Sequence, residues 1–119
     1  MPNANVSTAV RRARSGVNII DIQGEINAFA EKELFDAYAM ASSSDTHTIL
    51  LNFDGLKYMN SSGIGLLVTL LVRARRQNQR FMAFGLNEHY KQIFELTRLN
   101  EAVSLYDTEA DALVAANQL

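Results

Sequence analysis

No cysteine occurs among the 119 residues. Disulfides, thiolate metal sites and cysteine nucleophiles are removed together, and the absence fits a reducing, cytoplasmic setting. Proline appears once, at Pro2, and no Gly/Ser-rich stretch or block of like charge divides the chain. No uninterrupted apolar run reaches the roughly 18 residues that a bilayer span requires, so no membrane insertion is expected. The longest candidate, Ile64 to Val72, ends at Arg73 and reads as a buried helix face. The opening MPNANVSTAV lacks the charged start and apolar centre of a signal peptide. A formal net charge of −2 supplies no positive field for nucleic acid, so no direct nucleic-acid partner is expected. Two basic clusters exist, Arg11, Arg12 and Arg14 near the start and Arg73, Arg75, Arg76 and Arg80 in the middle. Both read as solvated charge, the second at a helix C-terminus where cations complement the macrodipole.

What is present is ordinary for a globular chain: 48% apolar and 20% charged residues. A short loose tail, residues 1–5, precedes one domain over residues 6–118. Val6 to Arg14 alternates roughly and suits an edge strand, Ser15-Gly16 is a turn signal, and the β-branched Val17 to Ile22 reads as the hairpin partner, stopped by Gly24. From Ala28 to Ala41 helix formers dominate, with Phe29, Leu34, Ala37 and Tyr38 near helical spacing. Thr48 to Phe53 is a nearly continuous apolar run, as in a central strand covered on both faces. A loop follows, then a helix over about Ser62 to Gln77 and a strand from Arg80 to Leu86. Asn87 caps a helix to Leu96, Val103 to Tyr106 is a last strand, and Thr108 starts a helix to about Asn117. The order ββαβαβαβα predicts an α/β fold: a mixed sheet with about four helices and an antiparallel hairpin at its edge.

Familiar enzyme signatures are missing. There is no GxxxxGK[ST] phosphate loop, no complete GxGxxG and no GxSxG elbow. His47 and His89 stand apart and read as surface or capping residues, and the carboxylates form no acid/base pair. No catalytic residue, metal site or cofactor is expected, and the chain reads as a non-enzyme. Chemistry concentrates in Leu51 to Leu71, where a buried strand leads through Asn60-Ser61-Ser62-Gly63 into an apolar helix. Hydroxyls at a helix start meet unpaired backbone N–H groups and the positive end of the dipole, which suits a phosphate. Read locally, Asn60 or Ser61 equally serves as a plain helix cap. Ile64, Leu67, Val68 and Leu71 form the expected core side of that helix, with Thr69 and Arg73 opposite. Ile64 and Leu66 are also candidates for docking.

The loop MNSSGIG, Met59 to Gly65, resembles the phosphorylation loop of STAS domains of the anti-sigma-factor antagonist family, M-D-S-[ST]-G-[LIV]-G. DIQGEIN (Asp21 to Asn27) resembles the family's L-x-G-x-[LI]-D element, and the strand and helix order after Thr48 follows the family to the end. The resemblance implies a partner switch. The unphosphorylated antagonist binds an anti-sigma factor that is itself a serine kinase with a kinase fold, and so frees a target. Phosphorylation on the first loop serine, Ser61, breaks the complex, and a metal-dependent PP2C-type serine phosphatase resets it. Ser62 is the alternative acceptor. By position, Met59, Asn60, Ser62, Gly63 and Ile64 belong to the loop, and Gly24, Glu25 and Asn27 to the neighbouring partner surface. Asn60 and Asn27 stand where the family has Asp, so two carboxylates near the acceptor are gone while hydrogen-bonding capacity remains. The alternative within the family is an unphosphorylated scaffold or transporter-accessory module.

Overall fold

Val6–Arg14 (β1) and Val17–Ile26 (β2) pair antiparallel, with Arg14 opposite Val17 and Ser15-Gly16 as the connecting turn. Gly16 takes φ +77, a left-handed conformation that glycine adopts without a Cβ penalty. The computed structural model describes residues 5–117. Of the expected tail only Asn5 lies in that range, and its carbonyl accepts from the Glu25 N–H at 2.9 Å. Residues 1–4, and residue 118 of the expected domain, lie outside the described residues.

The remaining elements alternate: α1 (Glu31–Ala41), β3 (Thr48–Met59), α2 (Ser61–Arg76), β4 (Arg80–Phe84), α3 (Glu88–Leu96), β5 (Ser104–Tyr106) and α4 (Glu109–Ala116). Short 3-10 turns at Ala28–Ala30 and Leu99–Glu101 precede α1 and β5. The sheet order is β1-β2-β3-β4-β5, antiparallel at the first pair and parallel through the rest. The expected α/β class, mixed sheet and hairpin edge are all present.

Successive strand side chains point to opposite faces, and both faces of the central strands are apolar. On one face Ile20, Ile22, Ile49, Leu51, Phe53 and Phe81 pack with Leu34 and Tyr38 of α1, Leu67 and Leu70 of α2, and Phe94 of α3. On the other, Val17, Ile19, Leu50, Met82 and Phe84 pack with Ala112 and Ala116 of α4. Two arginines of β1 hold α4 in place. Arg11 bridges Asp21 of β2 (2.6 Å) and Glu109 in the first turn of α4 (2.8 Å). Arg14 donates to the Leu113 carbonyl (2.7 Å) and to Asn117 at the far end of the helix. The hydrogen bonds from Arg11 hold the Asp21 carboxyl below its ordinary range, opposing partial burial and aided by the Asn52 amide.

Three elements depart from the sequence expectation. β2 does not stop at Gly24 but runs to Ile26, because Gly24 adopts φ +97 within an irregular register where β2 and β3 continue to pair. β3 likewise continues from Phe53 to Met59, where a loop was expected. Its last partner on β4 is Phe84, opposite Asn52. Beyond that point Asp54, Lys57 and Tyr58 are exposed, and this polarity mimics a loop in sequence. Phe29, expected on the apolar face of a helix, lies in the 3-10 turn and is 55% exposed.

Candidate functional site

The C-terminal ends of β2 and β3 lie side by side, with Glu25 opposite Tyr58 and Ile26 opposite Met59. From there each chain leaves the sheet through an asparagine cap. Asn27 accepts from the Phe29 N–H through Oδ1 (2.9 Å), and Asn60 accepts from the Gly63 N–H through Oδ1 (3.0 Å). The Asn60 N–H itself donates to the Ile26 carbonyl (3.2 Å), which ties the two exits together. Glu25 and Asn27 therefore flank the point where the Ile26 carbonyl meets Asn60, whereas Gly24 lies one pair further back, opposite Leu56.

Ser61 is the first residue of α2 and is exposed, as is Ser62. The Gly63 N–H is occupied by the cap, whereas the amides of Ser61 and Ser62 have no intrahelical carbonyl to meet. An anion on Ser61 Oγ would adjoin those donors and the positive end of a helix spanning 16 residues. Asn caps a helix as well as Asp does. Both departures from the family's Asp thus keep the local fold while leaving Ser61 without a neighbouring carboxylate at those two positions.

Not every candidate faces outward. Met59 is 4% exposed and packs in the main core. Gly63 is buried against the Ile26 carbonyl, so its lack of a side chain serves the packing of α2 on β2 rather than the approach of a partner. Ile64 is partly buried against the core. The exposed stripe of α2 runs instead through Ser61, Gly65, Val68, Val72 and Arg76, one helical face. Val68, expected in the core, is on this stripe, and Leu70 takes the core place. Arg73 lies over the Phe35 ring of α1 at 4.5 Å, a cation–π contact.

Tyr58 and Phe29 are both about half exposed on the ends that flank the caps; the sequence pattern marks Phe29 only as a helix-face residue and does not mark Tyr58. The signal for Tyr58 is its alternation with buried Met59 along the full length of β3. Among the described residues no cluster of three or more His, Asp or Glu has metal-binding geometry, and no helix is long and apolar enough to cross a membrane.

The STAS domain pattern matches residues 8–112, and the chain belongs to that family. An anti-sigma-B factor antagonist of Listeria monocytogenes is 22% identical over 107 residues, covering 90% of this chain and 94% of that protein. Two solved structures share the fold. An anti-sigma factor antagonist from Mycobacterium paratuberculosis superposes with a TM-score of 0.78 at 21% identity, covering 96% of this chain and 97% of that one. The Bacillus cell fate determinant SpoIIAA in its phosphorylated form superposes with a TM-score of 0.71 at 20% identity, covering 92% and 99%.

Proposed function

We propose that this protein is an anti-sigma-factor antagonist, a non-enzymatic cytoplasmic binding protein whose partner affinity is set by phosphorylation of Ser61. The observation that carries the reading is the placement of Ser61: exposed, first on α2, held by the Asn60 cap and adjoining the exit of β2. The similarity to proteins named as antagonists of anti-sigma factors, one of them, SpoIIAA, solved in both unphosphorylated and phosphorylated forms, supports it.

In the unphosphorylated state the partner, an anti-sigma factor with a kinase fold, docks on Glu25, Ser61, Ser62 and the exposed stripe of α2. It then transfers the γ-phosphoryl group of its nucleotide to Ser61 Oγ. The phosphoserine carries about −1.5 to −2 charges, and enclosing it without matching cations costs several kcal/mol, so the complex separates. Every ~1.4 kcal/mol is tenfold in affinity, so the switch needs only part of that cost. A PP2C-type phosphatase hydrolyses the phosphoester and restores the binding form. The chain supplies shape, acceptor hydroxyl and helix-end electrostatics, and its partners supply the catalysis and any metal.

The test is intact-mass analysis with fragment mapping of the protein from its own cells, beside Ser61→Ala. One phosphate that maps to Ser61 and vanishes in the alanine variant supports the switch. No phosphate in growth or stress overturns it in favour of a constitutive scaffold, and phosphate on Ser62 moves the acceptor by one residue.

A further inference from the structure

The Asn60 N–H points to β2 and bonds the Ile26 carbonyl, so the preceding N–H, that of Met59, points to the opposite side of β3. No strand stands there, because the pairing of β3 with β4 ended at Asn52 and Phe84. The place is filled by one side chain. The Tyr90 hydroxyl accepts from the Met59 N–H at 2.9 Å, in a buried setting where Tyr90 is 5% and Met59 4% exposed. Tyr90 is itself fixed, because its own N–H donates to Asn87 Oδ1 at 3.0 Å. Two asparagine-capped helix starts, at α2 and α3, are thus joined through one phenol.

We infer that Tyr90 is a positioning residue for Ser61: its hydroxyl fixes the end of β3, and with it the cap that presents the acceptor. The inference rests on the reading of Ser61 as the acceptor and adds α3 to the machinery that sets its geometry. A phenol oxygen suits the place because it reaches the backbone from a neighbouring helix while its ring remains in the core. Phenylalanine would keep the packing and leave the Met59 donor without a partner.

The control lies in the same fold. Tyr38 also makes a buried hydroxyl bond, to Gln79 Oε1 at 2.6 Å, but with a residue beyond the C-terminus of α2 rather than at the acceptor end. Tyr90→Phe and Tyr38→Phe are therefore compared for global stability, for amide hydrogen exchange from Met59 to Gly63, and for phosphate occupancy at Ser61 in the protein's own cells. Loss of one neutral hydrogen bond predicts amide exchange at Met59 about fivefold faster in Tyr90→Phe. Tyr38→Phe leaves that exchange unchanged at comparable stability. Ser61 occupancy falls in Tyr90→Phe alone, by up to about the same fivefold factor, and is unchanged in Tyr38→Phe. Equal exchange in wild type and Tyr90→Phe, or equal changes of exchange or occupancy in both variants, overturns the inference. Faster exchange with unaltered occupancy overturns it as well, since the bond would then hold the loop without serving the acceptor. Absence of phosphate on wild-type Ser61 is a separate failure, that of the acceptor reading itself.

Discussion

Gly63 rests on the carbonyl of Ile26: a Cβ at position 63 would stand 2.2 Å from that oxygen and 2.8 Å from its carbon. Two residues on, Gly65 has nothing within 4 Å of where its Cβ would be. The two glycines of one motif therefore do opposite things. Gly63→Ala forces α2 away from β2 and is expected to lower stability by roughly 1–3 kcal/mol, as overpacking does. Gly65→Ala is expected to raise it by about 1 kcal/mol, the helix-propensity difference. Urea unfolding midpoints check both, and a Gly63→Ala variant as stable as wild type would refute the close packing.

Asn60 gives a second prediction. Its Oδ1 holds the Gly63 N–H, and aspartate offers the same oxygen. Asn60→Asp should unfold within a few tenths of a kcal/mol of wild type, while Asn60→Ala should lose about 1 kcal/mol. The aspartate variant restores the residue the family carries before the acceptor, so comparing its Ser61 phosphate occupancy with wild type isolates the effect of the charge.

Much of this architecture is readable in the residues because two periodicities act without interference. The β-branched Val17, Ile19 and Ile20 and the run Thr48 to Leu51 with Phe53 are buried on both faces, and the caps Asn87 and Thr108 bond the N–H groups of Tyr90 and Asp111 as their spacing implies. The upper half of β3 is not readable, because a strand that has lost its β4 neighbour and its α4 cover looks polar and loop-like. The acceptor loop was legible by family likeness and by helix-start chemistry, but its inward residues were not. Whether Gly63 meets a partner or a carbonyl depends on how α2 crosses β2, and the Tyr90 bond joins residues 31 positions apart with no local signature.

A third prediction concerns acid. Asp21 is held below its ordinary value of 3.8, first by its hydrogen bonds to Arg11. A depressed carboxylate stabilises the fold fully above the unfolded value and ceases to do so as pH falls through the folded one. Stability should thus decline as pH drops below about 4, and Arg11→Gln should remove part of that slope. The two proteins should differ most at neutral pH and converge as pH falls through the depressed folded value, where Asp21 becomes protonated in both. Since Arg11 is 43% exposed, salt at about 1 M should shrink the gap at neutral pH. Denaturant titrations across pH and salt test this, and parallel pH profiles would show that the pair does not shape the acid response.

The final prediction separates the electrostatics of the acceptor from its recognition. An acidic side chain at the first residue of α2 faces open amides and the positive helix end, so Ser61→Asp should stabilise the isolated protein by about 0.3–1 kcal/mol at low ionic strength, and less in high salt. On the proposed function, the same change in the cell should mimic phosphorylation and abolish co-purification of the proposed anti-sigma partner, whereas Ser61→Ala should retain it. A partner that binds Ser61→Asp as firmly as Ser61→Ala would mean that charge at this position does not break the complex. A variant that loses both stability and partner would place the effect in a damaged helix start instead. Greater stability together with lost binding is the combination that only a phosphate-receptive helix end, presented at an interface, accounts for.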